Sequence, residues 1–201
     1  MTDARLSSPA ALRNREPIFE VLKDYLGPQA RVLELASGTG EHALYMTQRR
    51  PGWVWQPTDI SEPALASIEA WRESLTDGRD NLLAAQRRDV LSEWPEQQFD
   101  AMVAVNLIHI SPWVVTAALM EKAALHLATG GVLLLYGPYR LHGEHTAPSN
   151  VAFDEDLKRR NPEWGIRDLE AVTELAASAG LSREGLHSLP ANNLALVFRR
   201  G

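Results

Sequence analysis

A short apolar run, Arg31-Val32-Leu33-Glu34-Leu35, stops at a loop of small residues, Ala36-Ser37-Gly38-Thr39-Gly40, and the chain then reads as a helix up to Pro51-Gly52. A buried strand that turns through glycines into a helix is the repeating unit of a parallel α/β sheet. The alternation recurs. Residues 53–58 read as a strand ending at Asp59, with Ser61 as N-cap of a helix through Trp71. A less regular strand over 82–88 ends at Asp89, and residues 99–107 form the most continuous apolar strand. Ser111-Pro112 opens a helix, Gly130-Gly131 precedes a buried strand over 132–136, and 169–179 reads as a helix stopped by Gly180. Residues 186–200 read as a strand–turn–strand pair. At the other end, a polar arm over residues 1–14 leads into a helix with Pro17 at its first position and Gly27-Pro28 as its stop. No repeat or linker divides the chain, so residues 1–201 are expected to form a single domain.

Composition narrows the function classes. The net charge of -6 lacks the clustered positive charge that phosphate contacts require, so no nucleic-acid partner is expected. Without cysteine the chain has no disulfides, thiolate metal sites or cysteine nucleophile, which fits a reducing compartment. No apolar run reaches the roughly 18 residues of a membrane helix, and no signal segment opens the chain. The expectation is a cytoplasmic protein, monomer or homodimer, with a small-molecule substrate.

Ligands of open α/β sheets bind beyond the carboxyl ends of the strands, where the strand order reverses. Gly38 and Gly40 let the backbone turn and approach a ligand there. Asp59, roughly 20 residues further on, stands where a carboxylate accepts from two ribose hydroxyls. Asp89 ends the next strand, within reach of an adenine amino group. Two readings share this layout. Gly38-Thr39-Gly40-Glu41-His42-Ala43 fits the loose dinucleotide pattern, which makes an NAD-linked oxidoreductase one of them. Glu34 before the turn, together with Asp89, fits the acidic-x-G-x-G-x-G pattern of S-adenosylmethionine sites.

Residues Val32 to Gly40 resemble the first motif of class I S-adenosylmethionine-dependent methyltransferases, with Ala36 in place of the first glycine. A methyl group is tolerable there if φ stays negative. Nearly the whole chain is similar to the DUF938 family, which includes methyltransferase-like protein 26. The likeness is carried by Ser8-Pro9-Ala10-Ala11, Arg13-Asn14, Glu16-Pro17-Ile18, the stretch Glu34 to Ala43, Asn106-Leu107-Ile108-His109-Ile110-Ser111-Pro112-Trp113, Tyr136-Gly137-Pro138-Tyr139, His145-Thr146-Ala147-Pro148-Ser149-Asn150 and Pro190-Ala191-Asn192-Asn193-Leu194.

That resemblance implies a Rossmann-like fold: a mostly parallel seven-stranded sheet with an antiparallel C-terminal strand and helices on both faces. It implies S-adenosylmethionine as cofactor and S-adenosylhomocysteine as product. The expected cofactor residues are Arg13 and Asn14 on an arm folded over the cofactor, then Glu34, Ala36, Ser37, Gly38, Gly40 and His42. Asp59, Ile60, Asp89, Val90, Asn106 and Leu107 complete the set, and Arg13 is the candidate partner of the methionine carboxylate. His109 is a candidate base and Tyr139 a second catalytic candidate. Tyr136, Tyr139, His145, Asn150 and Asn192 are candidate substrate residues, those beyond Tyr139 in a loop. No metal is expected, because His109, His142 and His145 match no standard ligand spacing. The activity read from all this is methyl transfer to a small molecule. A reaction that consumes S-adenosylmethionine without an acceptor, an NAD-linked oxidoreductase and a non-catalytic binding protein are the alternatives.

Overall fold

The central apolar run lies in the middle of a sheet, where both of its faces are covered. The computed structural model describes residues 3–75 and 80–201. In chain order, α1 (Pro9–Leu22), β1 (Ala30–Leu35), α2 (Glu41–Arg49), β2 (Trp53–Asp59) and α3 (Glu62–Glu73) come first. Next are β3 (Gln86–Arg87), β4 (Phe99–Val105), α4 (Trp113–His126) and β5 (Leu127–Gly137). Then come β6 (Tyr139–Leu141), β7 (Glu144–His145), α5 (Pro148–Arg160), β8 (Arg167–Asp168), α6 (Leu169–Ser178), β9 (Leu181–Leu189) and β10 (Asn193–Arg200).

Seven strands form one sheet in the order β3-β2-β1-β4-β5-β10-β9, and β7-β6-β8 form a small second sheet. The pairs from β3 to β5 are all parallel, whereas β10 runs antiparallel to both β5 and β9. Alternate side chains of each strand supply two cores. Leu33, Leu35, Met102, Leu133 and Leu135 pack on one face beneath α4 and α6. Val32, Val103, Val132 and Leu134 pack on the other with Ile18 and Leu22 of α1 and Met46 of α2. The strand order reverses between β1 and β4, so a crevice opens at their carboxyl ends. No helix among the described residues is long and apolar enough to cross a membrane.

Two readings of the sequence need correction. First, α1 starts at Pro9, not at Pro17. Ser8 is its N-cap, with Oγ accepting from Ala11 N, and Pro17 lies inside the helix. The helix was masked because its first turns expose polar residues and bury only Ala11 and Asn14. Second, the stretch after Tyr139 is not a loop. It holds β6, β7 and the helix α5, whose buried stripe is Asn150, Asp154 and Leu157 rather than an apolar one.

Glycine is required at position 40. Its φ is +86°, and a Cβ there would lie 3.0 Å from Ile68 Cγ1 and 3.1 Å from Ile68 Cα, which pack α3 against the loop. Gly40→Ala is therefore expected to cost about 2 kcal/mol and to lower Tm by roughly 4–8 °C, measurable by thermal unfolding.

Candidate functional site

The loop from Ala36 to Gly40 joins β1 to α2 at the crevice. Ser37 N donates to Thr58 O at 2.9 Å, and Thr58 N donates to Ser37 Oγ at 3.1 Å, which draws the loop against β2. The reversal this needs falls on Ala36, whose φ is +53°, so the expectation of a negative φ is overturned. A left-handed alanine costs about 1 kcal/mol, held here by the neighbouring bonds. Gly38 follows at φ +58°, and an added Cβ would meet nothing nearer than Ala36 O at 4.0 Å, so the loop is open above it. Asp59 closes the end of β2. Its carboxylate accepts from Gly38 N and from Ser61 N, both at 2.9 Å, which fixes it beside the loop. The Ser61 hydroxyl makes no capping bond.

Asp89 lies beyond β3, exposed, its Oδ1 accepting from Leu91 N at 2.9 Å. Val90 beside it is buried, while Ile60 stays exposed. Asn106 ends β4 at φ +59° and begins the turn that carries Leu107 and His109. Ala36 and Asn106 thus place two strained non-glycine residues on adjacent strand ends, facing the same crevice.

Glu34 sits beneath the loop, 1% exposed, with Oε2 accepting from Trp55 Nε1 at 3.0 Å. Burial pushes its carboxyl up to about 7, against the lowering effect of the bonds from Trp55 and Ser37. A carboxyl raised by folding stabilises fully below its unfolded value and loses that contribution as pH rises through about 7. The ligand-free protein should therefore lose on the order of 3 kcal/mol between pH 4.5 and pH 7.5 from this group. Glu34→Gln keeps an acceptor for Trp55 and should flatten that part of the pH–stability curve, read by chemical denaturation.

Glu41, a residue the sequence reading passed over, organises the entry of the chain. Its carboxylate is buried at the head of α2 and accepts from Ser7 Oγ (2.9 Å), Ser8 N (2.7 Å) and Thr39 Oγ1 (2.9 Å). Leu6 N donates to Ser67 Oγ, and Trp71 Nε1 donates to Leu6 O, so the arm crosses from α3 over the loop into α1. The four-residue repeat of α1 then turns Ala10, Arg13, Asn14 and Pro17 to one side. That side forms one wall of a cavity of about 310 Å³.

Asn106, Tyr136 and Pro138 line the strand-end wall of this cavity. Ser149, Asn150 and Phe153 of α5 face it, and Pro190, Ala191 and Asn193 close it from the β9–β10 turn. His42 is held neutral by burial, its ring pushed down to about 4, and Nε2 donates to Asn14 Oδ1 at 2.7 Å. Burial raises the proton affinity of the Tyr136 hydroxyl, against the lowering effect of the nearby Asn14, Arg13 and Asn193.

The expected site residues divide accordingly. Arg13, Asn14, Asn106, Tyr136 and Asn150 come together around the cavity. Asn192 does not line it. It takes a left-handed turn position at φ +59° and offers its carbonyl to Asn150 Nδ2, while Asn193, one residue on, reaches in. His145 pairs instead with the buried Asp154, Nε2 to Oδ2 at 3.3 Å. Tyr139 is fully buried in the core under α4 and α6, so it is not brought to the cavity either. Trp113 and Trp164 lie outside the cavity, stacked with Arg167 and Arg160.

His109 packs edge-on to Tyr139, with ring centroids 5.1 Å apart, and is fully buried. Burial pushes its ring down to about 3, so it is neutral, and neither nitrogen has a hydrogen-bond partner. Gly137 packs against it: a Cβ at that position would lie 2.4 Å from His109 Nε2 and 3.0 Å from Asn106 Oδ1. Two unpaired buried nitrogens weaken the fold. His109→Leu should therefore raise Tm of the ligand-free protein by a few degrees, whereas a histidine kept for stability would make the change destabilising.

Comparisons with known proteins match this architecture. The family model described as a protein of unknown function, DUF938, matches residues 5–200. Human N-acetylserotonin methyltransferase, solved in complex with SAM, superposes with a TM-score of 0.78 at 16% identity, covering 96% of this chain and 53% of its own. An O-methyltransferase family protein from Burkholderia thailandensis gives 0.78 at 18% identity, covering 96% and 57%. An O-methyltransferase family 2 protein from Planctomyces limnophilus, in complex with apigenin, gives 0.75 at 19%, covering 94% and 62%. The chain thus spans little more than half the length of these structures, and it has the Rossmann-like fold of class I methyltransferases.

Proposed function

The chain belongs to the DUF938 family, and from that premise we propose that it is an S-adenosylmethionine-dependent methyltransferase acting on a small molecule. The observation that carries this reading is the buried carboxylate of Glu41 at the head of α2. A dinucleotide on this fold sets its pyrophosphate against that helix end. Here a pyrophosphate would meet a carboxylate 3% exposed, in a place the arm already covers. S-adenosylmethionine has no phosphate, and its sulfonium is a cation. The cavity beside Asn106 favours a reaction with an acceptor over one in which the cofactor alone reacts, because it leaves about 310 Å³ of space at the strand ends.

In this proposal Asp59 accepts from the ribose hydroxyls, the open backbone at Gly38 lets the cofactor approach, and Val90 and Ile60 flank the adenine next to Asp89. Glu34, Ala36, Ser37, Gly40 and His42 shape and brace the pocket floor, and Asn106 and Leu107 form its far edge. When bound, the cofactor supplies a methyl group as an electrophile on sulfur, which leaves as a neutral thioether. The protein's own part is to hold the acceptor in line and exclude water. The Tyr136 ring would meet the sulfonium. His109, buried outside the cavity with Tyr139 as its packing partner and held neutral well below the ordinary histidine range, is not proposed to take a proton from the acceptor. A cytoplasmic monomer or homodimer completes the proposal.

The test is a thermal-shift titration with S-adenosylmethionine, S-adenosylhomocysteine and NAD, repeated on Asp59→Ala. At a hundredfold excess over Kd, a ligand of the native state should add about 2.7 kcal/mol, several degrees in Tm. We expect both sulfur ligands to stabilise the protein and Asp59→Ala to abolish the shift. A response to NAD alone would sink the methyltransferase reading in favour of an oxidoreductase.

A further inference from the structure

Among the described residues, Arg13 is the only charged side chain that lines the cavity. Its other polar walls are the Tyr136 and Ser149 hydroxyls and the amides of four asparagines, among them Asn150 and Asn193. No aspartate or glutamate lines it among the described residues. Arg13 is exposed to this space, forms no ion pair there, and lies close enough to Tyr136 for its charge to act on the hydroxyl. No residue of the Ala36–Gly40 loop lines the cavity, whereas residues of α5 and of the β9–β10 turn share it with Arg13.

The donors are also oriented. His42 Nε2 fills Asn14 Oδ1, which leaves the Asn14 amide N–H groups to donate elsewhere along the wall that Asn14 lines. Asn193 and Asn150 spend their amide N–H groups within the wall, on the Pro190 and Ala191 carbonyls and on Thr146 Oγ1 and the Asn192 carbonyl. A carboxylate would find the Arg13 guanidinium, the Tyr136 phenol O–H and the Asn14 amide N–H groups. A protonated amine would lose water and find no anion. Pro17, Pro138, Phe153 and Pro190 supply the apolar surface for a carbon frame.

We propose that the methyl acceptor is a small organic acid whose carboxylate is received by Arg13, with Tyr136 and Asn14 completing the anion subsite. The proposal deepens the methyltransferase reading and rests on it for the word acceptor. It moves Arg13 from the cofactor's carboxylate to the acceptor's.

Matched compounds test it by calorimetric titration of the whole chain, with and without saturating S-adenosylhomocysteine. One set is hydroxybenzoate, hydroxybenzamide and tyramine; the other is hydroxybutyrate, hydroxybutyramide and aminobutanol. We expect at least one acid to bind about tenfold more tightly than its amide and amine. Arg13→Gln should erase that preference while changing S-adenosylhomocysteine affinity by less than about threefold, and Arg13→Lys should retain part of it. The proposal is overturned if amides or amines bind as tightly as the acids, or if none of the six binds. It is equally overturned if Arg13→Gln weakens S-adenosylhomocysteine as much as the acid, since the guanidinium then serves the cofactor. Acid preference without any response to S-adenosylhomocysteine would keep the anion subsite and sink the methyltransferase reading instead.

Discussion

The ligand end of this protein depends on one buried charge. Glu41 could not lose its water without partners, and it finds them in the arm: a hydroxyl and a backbone N–H from Ser7 and Ser8, with Thr39 from the loop. Those bonds fix where α1 begins. The helix then runs across α2 and carries Asn14 to His42 and Arg13 to the cavity rim. The same carboxylate guards the positive end of α2 against anionic groups. A single side chain therefore sets the shape of one cavity wall and keeps anions from the head of α2, leaving Arg13 as the charge that lines the cavity.

Strain is concentrated where the ligand would lie. Ala36 and Asn106 take left-handed conformations on neighbouring strands, although neither is glycine. Each is held by ties to the next strand: Ser37 to Thr58, and Asn106 N to Tyr136 O at 2.8 Å. Elsewhere the sheet is regular, and its inward residues are apolar with few exceptions. Glu34 is one such exception, two residues before the strained Ala36, and Gln56 and Thr58 of β2 are others. The rigid sheet supports these local costs.

Much of the fold was legible from residue patterns because β1, β2, β4 and β5 are buried on both faces and are rich in apolar residues, most continuously over 132–135 of β5. The helix α5 was not legible, since its inward stripe of Asn150, Asp154 and Leu157 contains only one apolar residue. Asp154 is buried for a structural reason: it gathers His145, Lys158 and the backbone of Ile166. The start of α1 was hidden in the same way, although Ser8-Pro9 is a cap followed by a first-position proline. At the site, the strand-end residues could be placed by register, but the cavity walls join segments far apart in sequence. Tyr136 and Tyr139 look alike in a list. They stand three residues apart in a nearly extended segment, and an odd spacing sends them to opposite faces. The choice between Asn192 and Asn193 turned on the same odd step, at a turn that uses up one asparagine.

The order of strands at the C-terminal side carries a consequence for assembly. β9 comes before β10 in the chain, yet in the sheet β10 lies between β5 and β9. β9 reaches the sheet only through β10, which pairs with β5. Until β10 docks, the long, apolar β5 is an open edge, exposed to pairing with another chain. The turn that closes the cavity, Pro190 to Asn193, comes into place with that docking. The binding pocket is thus among the last parts of the protein to come into existence, and a nascent chain stalled before it would be both inactive and prone to aggregation.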